Sequence, residues 1–154
     1  MTAPGSDPPR LHLTVLPGRY AVARLAPDAP LPTWATQGRF WSLTRTAEEL
    51  SVVCAEADVP AGVLAERGWR VLAVAGPIPF ATTGVLASLA APIAAAGISL
   101  FAVATYDTDL LLVADDRLAA ASAALERAGH RLEPSADVPT GTLPAHGGTH
   151  DARS

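Results

Sequence analysis

The first half of the chain is a series of short β-rich apolar runs separated by turn residues. "LHLTVL" (11–16) and "YAVARL" (20–25) flank "PGR", and "FWSLTRT" (40–46) with "ELSVVCAE" (49–56) predicts a hairpin. "PLPTWATQG" (30–38) has room for one helical turn and "ADVPAGVLAERG" (57–68) for a short helix.

In the second half the period changes. "RVLAVAG" (70–76) predicts a strand, and "PIPFATTG" a loop ending at a helix N-cap, Thr82 or Thr83. A helix from Gly84 to about Ala96 puts Leu86, Leu89, Ile93 and Ala96 on one face. Pro92 should kink it by removing the bond to Ser88, and Gly97 is placed for a left-handed stop. "ISLFAVATY" and "DLLLVA" follow as strands joined at Asp107–Thr108. Asp115 suits the N-cap of a helix reaching about Ala128 and burying Leu118, Ala121, Leu125 and Ala128. Gly129 ends that helix, and "HRLEP" is a last short strand. Strand, helix, strand, strand, helix, strand is the split βαβ plan of ferredoxin-like domains: an α+β class, with an antiparallel sheet and both helices on one face.

The two halves also echo each other. "SLTRTAEELSVVCAEAD" and "VATYDTDLLLVADDRL" each have a threonine-bearing elbow, an acid, a β-rich strand, and acids opening a helix. This is a degenerate internal repeat whose first copy has a stunted first helix.

The hairpin "SLTRT..EL", the helix "TG..ASL..P...AGIS" and the elbow "TYDTD" together resemble ACT-domain proteins. The nearest type is the aspartokinase-related, CASTOR-like tandem ACT group, and the likeness covers about residues 10 to 132. It implies ferredoxin-like βαββαβ ACT modules in tandem. The expected division is a flexible lead (1–10), an abbreviated module (11–68), a complete module (69–133) and a disordered tail (134–154). Members are regulatory folds that commonly bind amino acids or other small metabolites where paired modules meet. The resemblance therefore implies a pocket from Pro77, Ile78, Phe80, Thr83 and Gly84, closed by Thr105, Tyr106, Asp107 and Asp109. It also implies a homodimer. An amino-acid kinase region does not fit this length, so kinase activity is not implied.

The residues themselves give the chemistry of such a site. Backbone N–H groups at the helix start in "TTGVL" suit a ligand carboxylate. An elbow carboxylate suits an ammonium or guanidinium. If 105 to 109 stay extended, Thr105, Asp107 and Asp109 share a side; a tight turn breaks that alternation. Asp109 opens a strand and is favoured over Asp107, which has the character of a turn residue. Arg45, in the matching first elbow, could pair with Asp107, Asp109 or a ligand carboxylate, or be solvated. A capped helix and a solvated turn explain the same residues without any ligand.

Composition narrows the classes. The chain has 154 residues, enough for one ordinary domain or two very small ones, with 49% hydrophobic and 17% charged residues. Its net charge of -4, without a basic stripe, argues against nucleic acid. Every basic residue apart from histidine is Arg, and the one cysteine, Cys54, sits in "LSVVC" as a buried structural thiol. The start "MTAPGSDPPR" has no signal pattern, so a cytoplasmic protein is expected. No residue between Arg70 and Asp107 is charged, but Pro77, Pro79 and Gly97 break that span, which argues against a membrane crossing. Trp34, Trp41 and Trp69 are assigned to packing.

Asp107-Thr108-Asp109 also has the acid-x-acid form of a Mg²⁺ site, but no further acid cluster or phosphate loop accompanies it. His146 and His150 are separated by Gly147 and Gly148, which opposes a helical metal pair. No metal or cofactor is therefore expected. The expected function is a non-enzymatic, small-molecule-binding regulatory protein with an amino acid as ligand. A ligand-free dimerisation module acting on a partner protein is the alternative, and a small metal-dependent enzyme the third reading.

Overall fold

The computed structural model describes residues 9–79 and 81–134. The expected disorder of the tail, the histidine pair within it, most of the expected flexible lead, and Phe80 lie outside the described residues.

Eight strands and two α-helices follow one another as β1 (His12–Val15), β2 (Tyr20–Leu25), β3 (Ser42–Arg45), β4 (Leu50–Ala55), β5 (Ala65–Val74), α1 (Val85–Ala95), β6 (Phe101–Ala104), β7 (Asp109–Ala114), α2 (Leu118–Arg127) and β8 (Arg131–Pro134). Short 3₁₀ turns occupy Thr33–Thr36, Glu56–Asp58 and Asp115–Arg117. The sheet runs β3-β4-β2-β5-β1-β8, with β7 on the other edge of β5 and β6 beyond β7. All pairs are antiparallel except β1 with β8. From β5 onward this is the expected mixed α+β plan, with one addition: β1 lies between the strands that open and close it.

Three apolar clusters organise the described residues. In one, both helices cover a face of the sheet, with Leu89, Ile93, Ala121 and Leu125 packed on Leu13, Leu72, Leu111 and Val113. The opposite face of β5 and β7 packs Val71, Leu110 and Leu112 against Tyr20 and Val53 of the N-terminal strands. A third cluster gathers Ala21, Ala23, Leu50, Val52 and Cys54 under Ala35 and Trp34 of the first 3₁₀ turn. β7 is thus covered on both faces, which explains its uninterrupted apolar run.

Several local expectations are corrected. Gly84, at φ 78, takes the position preceding α1, and neither Thr82 nor Thr83 caps it. The buried stripe of α1 is Val85, Leu89 and Ile93, while Leu86 is 40% exposed. Asp115 opens a 3₁₀ turn and α2 begins at Leu118; Ala124 is buried and Ala128 exposed. The segment 57–68 carries no α-helix, and Ala65–Gly68 is already strand. Trp34 and Trp69 pack as expected, but Trp41 is 43% exposed.

Both helices end in the same way. Ile98 and Gly97 N–H donate to the Ile93 and Ala94 carbonyls, and His130 and Gly129 N–H donate to Leu125 and Glu126. With Gly97 and Gly129 at positive φ, these are Schellman stops. Pro92 leaves the Ser88 carbonyl without its helical donor. The buried His130 ring meets it, with Nε2 at 3.1 Å from that oxygen, while Nδ1 accepts from Leu11 N–H at 3.2 Å. One imidazole thus ties α1 to the start of β1.

Candidate functional site

The segment leaving β5 and the β6–β7 elbow enclose a small hollow. Ile78, Pro79, Thr82 and Val85 form one wall and residues 104 to 109 the other, around about 190 Å³. The two walls are fastened together. Ile78 N–H donates to the Asp107 carbonyl at 2.6 Å, and Thr108 Oγ1 donates to the Val74 carbonyl at 2.6 Å. Gly76, whose bond to Pro77 is cis, lies tight against the elbow: a Cβ there would stand 2.9 Å from the Asp107 carbonyl oxygen.

Inside the elbow the Thr105 N–H and hydroxyl both donate to the Thr108 carbonyl at 2.8 Å, and Thr108 N–H donates back to the Thr105 hydroxyl at 3.2 Å. Ala104 and Asp109 pair in register beneath this closed loop. The elbow is therefore a turn, and both Asp107 and Asp109 border the hollow. Asp107 is exposed and Asp109 half-buried. Among the described residues neither carboxylate has an ion-pair or hydrogen-bond partner, and no basic side chain lines the hollow.

Of the residues expected at a site, the hollow brings together Ile78, Thr105, Tyr106, Asp107 and Asp109. Pro77, Thr83 and Gly84 sit in the same segment without lining it. Arg45 stands apart from the elbow acids, donating to the Pro27 and Ala29 carbonyls and so tying down that loop. Pro79, Thr82, Val85, Ala104 and Thr108 complete the lining. The threonine spacing signalled Thr108 and the helix start "TTGVL" signalled Thr82 and Val85; Pro79 and Ala104 are chain neighbours of expected residues with no separate signal.

The first hairpin repeats this construction. Thr46 N–H donates to the Glu49 carbonyl at 2.8 Å, and the Thr46 hydroxyl accepts from Glu48 and Glu49 N–H at 3.2 Å. β4 then leads to a 3₁₀ turn opened by Glu56, as β7 leads to one opened by Asp115. Each acid reaches back to the middle of β5. Glu56 accepts from Gly68 N–H at 2.8 Å, and Asp115 pairs with Arg70 at 3.2 Å and with Arg19 at 3.0 Å. In this alignment Asp109 occupies the place of Leu50, which is 0% exposed. The second copy therefore puts a carboxylate where the first puts core. No group of three or more metal-binding side chains gathers among the described residues.

Fold and topology define an ACT-type α+β domain. The ACT-domain family model matches residues 64–127, and a second family model, described as an N-terminal domain, matches residues 18–62. The chain belongs to the family of Atu0741 from Agobacterium tumefaciens, whose crystal structure is similar at 40% identity and TM-score 0.78 over 82% of this chain and 94% of that one. VC0802 from Vibrio cholerae, a protein of unknown function, is similar at 19% identity and TM-score 0.64, covering 77% of this chain and 90% of its own. The regulatory subunit of aspartate kinase from Thermus thermophilus is similar in fold at 14% identity and TM-score 0.52, covering 75% and 93%. No curated protein matches the chain. Among the described residues no helix is long and apolar enough to cross a membrane.

Proposed function

We propose that this chain is a non-catalytic, cytoplasmic regulatory sensor of the CASTOR-like tandem ACT type, binding an amino acid in the hollow between residues 78–85 and the 104–109 elbow. The observation that carries this reading is Asp109: a half-buried, unpaired carboxylate at a position the sister hairpin gives to a buried leucine. Its role is to hold the ligand ammonium through a charge-assisted hydrogen bond. Asp107, Thr105 and Tyr106 form the rim. Residues 11–68 and 69–133 act as two modules built on a shared β5, and two copies of the chain pair side by side.

A thermal-shift panel of the standard amino acids tests it. A ligand at about 100 times its dissociation constant adds about 2.7 kcal/mol of stability. For a ligand held at the elbow, Asp109→Ala should abolish that shift while Asp107→Ala reduces it modestly. Equal effects of the two would remove the role given to Asp109. A flat panel from a dimeric protein would favour the ligand-free interaction module instead.

A further inference from the structure

A second recess, independent of the elbow hollow, lies on the face of the N-terminal strands that also carries Tyr20 and Val53. Register sets its side chains: Val22 stands opposite both Val53 and Glu66, and Arg24 opposite Ser51, so these residues share one face. Phe101 of β6, Leu64 and Glu49 also line it, and the open recess has a volume of about 320 Å³. That reaches the range of small-ligand sites, about 300–1,000 Å³.

The recess carries one cation, Arg24, and two carboxylates, Glu49 and the exposed Glu66. Arg24 meets Glu49 at 3.2 Å and donates to the Glu48 carbonyl at 2.9 Å. Both partners of that ion pair are well exposed, so the pair contributes little and a ligand carboxylate can replace Glu49. Among the described residues the Glu66 carboxylate has no hydrogen-bond or ion-pair partner. Between Arg24 and Glu66 lies an apolar floor of Val22 and Phe101, with Leu64, 72% exposed, at the rim.

We propose that this recess binds a small zwitterion with an aliphatic body, of which leucine is the simplest form. Arg24 takes the carboxylate, Glu66 takes the ammonium, and the aliphatic chain lies on Val22, Leu64 and Phe101.

The test is a titration of L-leucine into the isotopically labelled full chain, read by amide NMR. Resonances of Leu64, Ala65, Glu66 and Phe101 should move while those of residues 105–109 stay. Arg24→Gln and Glu66→Gln should each weaken binding by about two- to fivefold, the loss expected for one exposed ion pair. Isocaproate, which lacks the ammonium, and isoamylamine, which lacks the carboxylate, should weaken to the same degree. Asp109→Asn should leave leucine affinity unchanged, so failure here is distinct from failure of the elbow reading. Movement confined to 105–109, equal binding by all three compounds, or no movement at about 10 mM leucine overturns the proposal.

Discussion

Cys54 shows what burial does to one residue. It is 1% exposed on β4, with Sγ 3.5 Å from the Ala55 carbonyl. Burial pushes the thiol up from 9.0 to about 11, with Asp58 adding to the rise and Arg67 opposing it. The folded value lies above the unfolded one, so the thiol's contribution is whole below about pH 9 and is lost as pH climbs toward 11. A rise of that size corresponds to about 2–3 kcal/mol. Urea unfolding of the wild type should therefore weaken across that window more steeply than that of Cys54→Ala. Parallel curves would show that the thiol is not the group responsible. This burial was legible in "LSVVC"; the position of Leu86 was not. Leu86, Leu89 and Ile93 satisfy the helical period as well as Val85, Leu89 and Ile93 do, and only the sheet beneath decides between them. Asp115 misled for a related reason. Its type suits a cap, but Arg70 and Arg19, 45 and 96 residues away in sequence, claim its carboxylate.

At the scale of elements, the elbow owes its place to Gly76. A methyl group added there would meet the Asp107 carbonyl at 2.9 Å and Thr108 Cβ at 3.2 Å, and the first of these is backbone that cannot swing away. Gly76→Ala should thus push the elbow off β5, stretching the Ile78-to-Asp107 and Thr108-to-Val74 bonds, and lower stability by about 1–3 kcal/mol. Chemical denaturation and the amide shifts of Ile78 and Thr108 measure both effects; unchanged shifts would mean that the two walls of the hollow move independently. The sequence predicted both hairpins, both helix stops and the elbow, because each rests on local turn chemistry. It did not reveal the β1 insertion. β1 carries ordinary strand residues, and its partners, β5 and β8, lie far along the chain. Nor did it reveal the Arg24–Glu66 recess, whose walls come from β2, β4, β5 and β6 and exist only once register is set.

For the whole molecule, β5 is the element common to every part. Ala65 packs in the cluster under Trp34, Trp69 and Ala73 in the one between the sheet halves, and Leu72 and Val74 beneath the helices. β1 adds a second bond between the ends of the chain, pairing with β5 and β8 and burying Leu13 to 1% exposure. A boundary drawn near residue 68 falls inside β5, whose residues pack in all three clusters. Neither half buries its share of β5 without the other, so partial unfolding exposes apolar surface in all three clusters at once. The chain should unfold in one cooperative transition. Two variants test this, each keeping one reporter: Trp34 for the N-terminal cluster and Trp69 for the cluster between the halves. With the other two tryptophans replaced by Phe, fluorescence of each should lose its folded signal at the same urea midpoint as far-ultraviolet circular dichroism of the same variant. A Trp34 midpoint displaced from that of the dichroism would show that the N-terminal half opens on its own. In that case β5 would serve as a tether between two folding units, and ligand at the elbow would stabilise only the second.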